Sequence, residues 1–203
     1  MESSQSLSSR LTTLCVVGGS LAFSLVVAEP AAAHTGLGAH SAFDGVIHPF
    51  LGVDHLMAMV AVGILAAIAR DRRVAWLTPI GFVAGMVVGG ALGMAGVGFP
   101  GTELVIAVSV IALGVLISTV RHDVGLWLPL LAATFGAVHG HAHGAELPVN
   151  AVPALYVVGF VLATGALHFA GVGFGVALRN RAKARTVAAA VMSCAGVALL
   201  IGA

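Results

Sequence analysis

The stretch "HPFLGVDHLMAMVAVGILAAIA", residues 48–69, places two histidines and an aspartate at the head of an apolar run that ends at Arg70. As a helix, a run of ~20 such residues crosses the hydrocarbon core of a bilayer. Ionisable side chains in that medium cost several kcal/mol each, so they mark function by default.

The composition of the whole chain agrees with a membrane setting. Of its 203 residues, 59% are hydrophobic and 8% charged, where a soluble domain carries about 25% charged residues. Mean hydropathy is +1.07. A chain with so few charges cannot cover itself with a wetted surface, so it reads as an all-α integral membrane protein. The net charge of +1, with no basic patch outside short loops, gives no reason to expect nucleic acid. Cys15 and Cys194 are too far apart in sequence to suggest a disulfide framework or a thiolate cluster.

The first 33 residues read as a cleavable secretory signal peptide. A polar "MESSQSLSSR" precedes the apolar "LTTLCVVGGSLAFSLVVA", and "EPAAA" then offers Ala31 and Ala33 in an A-x-A pattern. Cleavage there leaves a mature chain starting at His34; the alternative is an uncleaved anchor helix. The domain that follows, 34–203, contains apolar runs at about 46–69, 74–97, 102–120, 124–143, 151–178 and 186–203, which predict six transmembrane helices. Eight of the nine Lys and Arg residues fall in three loops: Arg70, Arg72 and Arg73; Arg121; and Arg179, Arg181, Lys183 and Arg185. The loops between them, "GVGFPGTE" and "GAELPVN", have none. Basic loops stay cytoplasmic, which puts both mature termini outside the cell membrane (the inner membrane of a two-membrane cell). Gly81, Gly85, Gly89 and Gly93 recur every fourth residue and predict close helix packing.

On this map the histidines segregate. His34, His40, His48, His55, His139, His141 and His143 fall outside or in the outer part of the membrane, with His168 deeper and only His122 in a cytoplasmic loop. Neutral imidazole is the commonest ligand for borderline divalent metals, so the pattern predicts a metal path opening outward. His139 and His143 are four apart and share a helical face, with Glu146 three residues further on. His48 and His55 are seven apart, about 10.5 Å along a regular helix, which is too far to share one ion. Either they serve successive positions or the helix starts irregularly. Pro49 suits a first helical turn, which would put His48 at the mouth and Asp54–His55 deeper. Asp54 could ligate, or could accept the second N–H of an imidazole. Glu103, entering the third helix from outside, could draw cations in, and His168 could act as a deeper ligand.

"HPFLGVDHLMAMVAVG" resembles the H-x5-D-H signature of the HupE/UreJ family, the hydrogenase and urease accessory nickel permeases. "HGHAHGAE" is similar to that family's second histidine motif, "PGTELVIAVSVIALGVL" to its third-helix segment and "ALHFAGVGFG" to its fifth. The likeness runs from His34, with a mature start like "HTG", to the C-terminus; Met57 departs from the more usual leucine. The resemblance implies import of Ni²⁺, with Co²⁺ a second candidate, for hydrogenase or urease maturation, and a metallochaperone waiting on the cytoplasmic side. Carried over by motif, His48, Asp54 and His55 form one part of the metal path, and His139, His143 and Glu146 another.

The residue chemistry agrees with a borderline cation. Cu(I) would want clustered Cys and Met, and Mg²⁺ would want more carboxylate; Zn²⁺ is not separable from Ni²⁺ or Co²⁺ by donor type. The single lysine, Lys183, leaves no phosphate-binding loop, so no ATP chemistry is expected. No prosthetic group is expected either. The reading from another class is a membrane-embedded zinc hydrolase, which needs three ligands converging on one ion and a carboxylate base.

Overall fold

The computed structural model describes residues 42–120, 123–147 and 153–202, and every regular element within them is an α-helix. The signal peptide, its A-x-A site, His34 and His40 lie outside the described residues.

The first apolar run is two helices rather than one. α1 (Ala42–Leu51) stops at Gly52, whose backbone is extended (φ −92°, ψ 118°), and α2 (Val53–Ile68) leaves at 87° to it. The expected continuous helix over 46–69 is therefore corrected, and so is the role given to Pro49. Proline sits inside the last turn of α1, not in a first turn. There its missing N–H removes a helical hydrogen bond just before the chain turns. The corner buries Gly45 against the Tyr156 carbonyl of a later helix, where a Cβ would not fit.

Four further helices pair by close backbone approach. α3 (Arg72–Met94) lies parallel to α5 (Trp127–Ala145), and α4 (Thr102–Thr119) runs antiparallel to α7 (Ala182–Gly202). α6 (Pro153–Leu178) holds both α1 and α2. The glycine stripe explains the first pair. Gly85, Gly89 and Gly93 of α3 face the carbonyls of Ala133, Ala137 and His141, while Gly136 and Gly140 of α5 face those of Phe82 and Met86. Reciprocal small residues let two backbones meet in a medium that gives helices no hydrophobic reason to associate. The register thus set places His139 against Phe82. In the second pair Arg185 reaches across to α4, donating from Nε to the Ile117 carbonyl (2.8 Å) and from Nη2 to the Val120 carbonyl (2.6 Å). A cation on the exposed carbonyls of a helix C-terminus is favourable on both counts.

Four helices, α3, α4, α6 and α7, are long and apolar enough to cross a membrane, and the bent α1–α2 pair makes a fifth span if taken as one. The sixth span expected from sequence falls on α5, which is 19 residues long but carries His139, His141 and His143 and so does not count as a span by composition. Large apolar side chains such as Leu130, Leu162, Phe169 and Ile201 face outward, as lipid contact requires. This is the build of a multi-pass membrane protein. Inside, Leu65, Ile68, Val74, Leu113, Ile117 and Leu128 fill one end of the bundle completely.

Candidate metal path

The corner at Gly52 does what a straight helix could not. It brings the His48 ring to 6.5 Å from that of His55, centre to centre. The two histidine elements then interleave. The ring of His143 lies 4.6 Å from His48 and 4.2 Å from His55, and His139 lies 5.0 Å from His55. Two imidazoles on one tetrahedral ion would hold their centres about 5 Å apart, given metal–nitrogen distances of about 2 Å. Pairs along this string are thus within reach of sharing a cation. A closed shell is not preformed: among the described residues no three His, Cys, Asp or Glu side chains are grouped as a metal set.

The second nitrogen of each ring decides what the first can do. Asp54 begins α2, where a carboxylate is welcome at the helix N-terminus. Its Oδ1 lies 2.8 Å from His55 Nδ1 and accepts that N–H. His139 Nδ1 donates to the Phe135 carbonyl at 3.0 Å. A carboxylate and a carbonyl can only accept, so the proton of each neutral ring sits on Nδ1 and leaves Nε2 as a bare lone pair. Both Nε2 atoms are buried, with no hydrogen-bond partner. This is the arrangement by which proteins orient a metal-ligating histidine, the outer partner fixing tautomer and ring direction. Of the two roles open to Asp54, the geometry favours acceptor behind His55. Gly52 is part of the same construction. A Cβ there would lie 2.7 Å from Asp54 Oδ1 and 2.9 Å from His55 Nδ1, so no larger residue leaves the pair undisturbed.

The other sequence candidates divide. His48, half-buried on α1, and His143, buried on α5, join the string beneath Tyr156 and Phe160 of α6. Glu146 caps the end of α5 instead of extending its histidine face. With Glu103 and His141 it lines an open recess of ≈ 360 Å³. His141 is held there by donating from Nε2 to the Val97 carbonyl at 2.6 Å. His168 stands apart from the four-ring string, touching Phe82 at 5.5 Å. The sequence reading passed over Gly52 and Phe82. A glycine beside an Asp-His pair is a signal for the first; a phenylalanine in an apolar helix carries none for the second.

Comparison with known proteins closes the question of kinship. Residues 21–199 match the family described as HupE / UreJ protein. The chain is also 40% identical over 186 residues to Protein HupE of Rhizobium leguminosarum bv. viciae, covering 88% of this chain and 94% of that one. No solved structure matches. With a family match across most of its length and a full-length relative at that identity, the chain is a member of the HupE/UreJ family.

Proposed function

We propose that this protein is a permease that carries Ni²⁺ inward across the cell membrane, with Co²⁺ its nearest alternative cargo, to supply hydrogenase or urease maturation. One observation carries the reading: His55 and His139 each have Nδ1 engaged and Nε2 buried without a partner. A buried polar atom without a partner costs roughly 1–3 kcal/mol, and two such nitrogens on rings whose centres lie 5.0 Å apart are suited to a shared cation. His48 and His143 extend that pair outward, and Glu146, with Glu103, gives the recess a negative mouth. Ligands met in pairs suit a passing ion, which must be held firmly enough to enter and loosely enough to leave. A zinc hydrolase would instead need three converging ligands and an open position for water, so the string favours transport.

The reading includes six crossings, with α5 as a span whose polar face is turned into the bundle, and both mature termini outside. It includes removal of residues 1–33, leaving His34 with a free α-amine and an imidazole that together chelate metal ahead of the recess. A metallochaperone would collect the ion inside. The membrane potential can drive the step alone. At about 2.3 kcal/mol per charge per 100 mV, a divalent ion gains about 4.6 kcal/mol, over three decades of accumulation. The deciding experiment is initial uptake of Ni²⁺, Co²⁺ and Zn²⁺ into proteoliposomes of the purified chain at an imposed inside-negative potential. Uptake of none of the three refutes the permease.

A further inference from the structure

The string of rings does not stop at His139. Phe82, fully buried on α3, lies 5.6 Å from the His139 ring on one side and 5.5 Å from the His168 ring on another. His168 is 4% exposed and its Nε2 has no hydrogen-bond partner. One turn earlier on the same face of α6 is Thr164, fully buried, whose Oγ1 is equally without a partner. That is unusual for a helical threonine, which returns its hydroxyl to the carbonyl four residues back. Thr78 does so to Val74 (2.7 Å), Thr134 to Leu130 (3.0 Å) and Thr186 to Ala182 (3.1 Å). Thr164 alone among these leaves both its proton and its lone pairs unspent in the apolar interior. Two orphaned polar atoms a turn apart, each costing roughly 1–3 kcal/mol, are hard to account for as packing.

We propose that Thr164 and His168 form an inner station for the transported divalent cation, separated from the His55–His139 pair by the ring of Phe82. The inference rests on the permease reading. An imidazole nitrogen and a hydroxyl oxygen are both competent donors to a borderline cation, and two donors with retained water hold it less firmly than the outer histidines do. An ion arriving there when the Phe82 ring turns aside is released more readily than from the pair above. Leu65 and Ile68, further along α2, are fully buried, so release needs a second movement of the bundle.

The test uses the full-length chain in proteoliposomes with ⁶³Ni²⁺, reading initial rate against Ni²⁺ concentration, together with equilibrium ⁶³Ni²⁺ binding to the solubilised protein. Thr164→Val keeps shape and removes the hydroxyl. His168→Phe keeps a ring and removes the donor. His168→Gln keeps an oxygen donor. Thr164→Val and His168→Phe are expected to lower the saturating rate about tenfold or more while half-saturation and bound Ni²⁺ stay within about twofold, with His168→Gln recovering part of the loss; such a split locates the defect after capture. Undiminished rates in both variants of a transporting wild type overturn the inner station alone. So does loss of Ni²⁺ binding in Thr164→Val, which would make the pair a support for the outer site. Should His168→Phe not insert, Thr164→Val decides. A wild type that moves none of Ni²⁺, Co²⁺ or Zn²⁺ takes the permease reading down with it.

Discussion

The rings of His55 and His139 lie 5.0 Å apart, each held from behind at Nδ1 and each with its Nε2 buried and unspent. They come from different helices and are held in different ways, one by the Asp54 carboxylate and one by the Phe135 carbonyl. Convergence on the same tautomer by two routes is what a site for a cation needs, since only the neutral ring presents a lone pair.

The first prediction concerns that pair. His55→Ala and His139→Ala should each abolish Ni²⁺ uptake while the protein inserts at normal levels. Asp54→Asn, which keeps shape and loses the charged acceptor, should cost about 10- to 100-fold, the usual effect of removing the group behind a ligating histidine. Uptake rates with immunodetected protein in the same membranes check this. Near-normal uptake by Asp54→Ala together with His55→Ala would remove the site.

Acid should slow the protein. A proton and a metal compete for the same Nε2, so lowering the external pH from 7.5 toward 6 raises the proton's share in that competition and weakens metal capture. The sign is fixed: uptake at sub-saturating Ni²⁺ falls as protons rise, and excess Ni²⁺ restores it. The potential must be clamped independently with valinomycin and potassium. A flat profile at low Ni²⁺ would mean that imidazoles do not bind the ion.

How much of this was readable from residues alone depends on what each residue spends. A histidine in an apolar run is conspicuous because it costs free energy, so His55, His139 and His143 stood out and do come together. The H-x5-D-H spacing said that His48 and His55 could not share an ion on a regular helix, and the alternative of an irregular start was the right branch. The corner itself was hidden. Gly52 looks like any other glycine in a membrane helix, and only the turn from α1 into α2 shows that its missing Cβ makes room for the side chains of Asp54 and His55. Phe82 was hidden for the opposite reason, since one more aromatic in an apolar helix carries no signal. Five of the six expected spans answer to length and apolarity, the first only as a bent pair; the sixth, α5, is long enough, but its three histidines make it too polar to count by composition. His168 stood out from the sequence, but Thr164 did not, and only the threonine's unmade backbone bond joins the two.

Topology is testable through the bond that joins α7 to α4. Arg185 caps the carbonyls of Ile117 and Val120, and the proposed orientation puts that cap on the cytoplasmic side. Cysteines placed at Arg181 and at Gly98 in a Cys15→Ser, Cys194→Ser background should label differently with an impermeant maleimide in intact cells, Gly98 reacting and Arg181 protected. Reaction at Arg181 from outside would invert the bundle. Arg185→Ala, leaving the two carbonyls without their charged donor, should cost about 1–3 kcal/mol of stability, read as faster thermal inactivation.

The last prediction isolates the corner from the ligands. Gly52→Ala changes no group able to touch a metal, and its backbone angles (φ −92°, ψ 118°) are open to alanine. The new Cβ would fall 2.7 Å from Asp54 Oδ1 and 2.9 Å from His55 Nδ1, closer than van der Waals contact allows. The side chains can give way by rotating, so the fold should survive with a loss within about 1–3 kcal/mol, as for a single overpacked methyl. Rotation, however, parts the carboxylate from Nδ1 and frees the ring to change tautomer and direction. Uptake should therefore fall about tenfold or more, approaching Asp54→Asn, and the two changes combined should cost little more than either alone, because they break the same contact. Additive losses would show that Gly52 acts elsewhere, through the bend rather than through the pair. Wild-type uptake in Gly52→Ala would mean that the Asp54–His55 hydrogen bond does not orient the ligand.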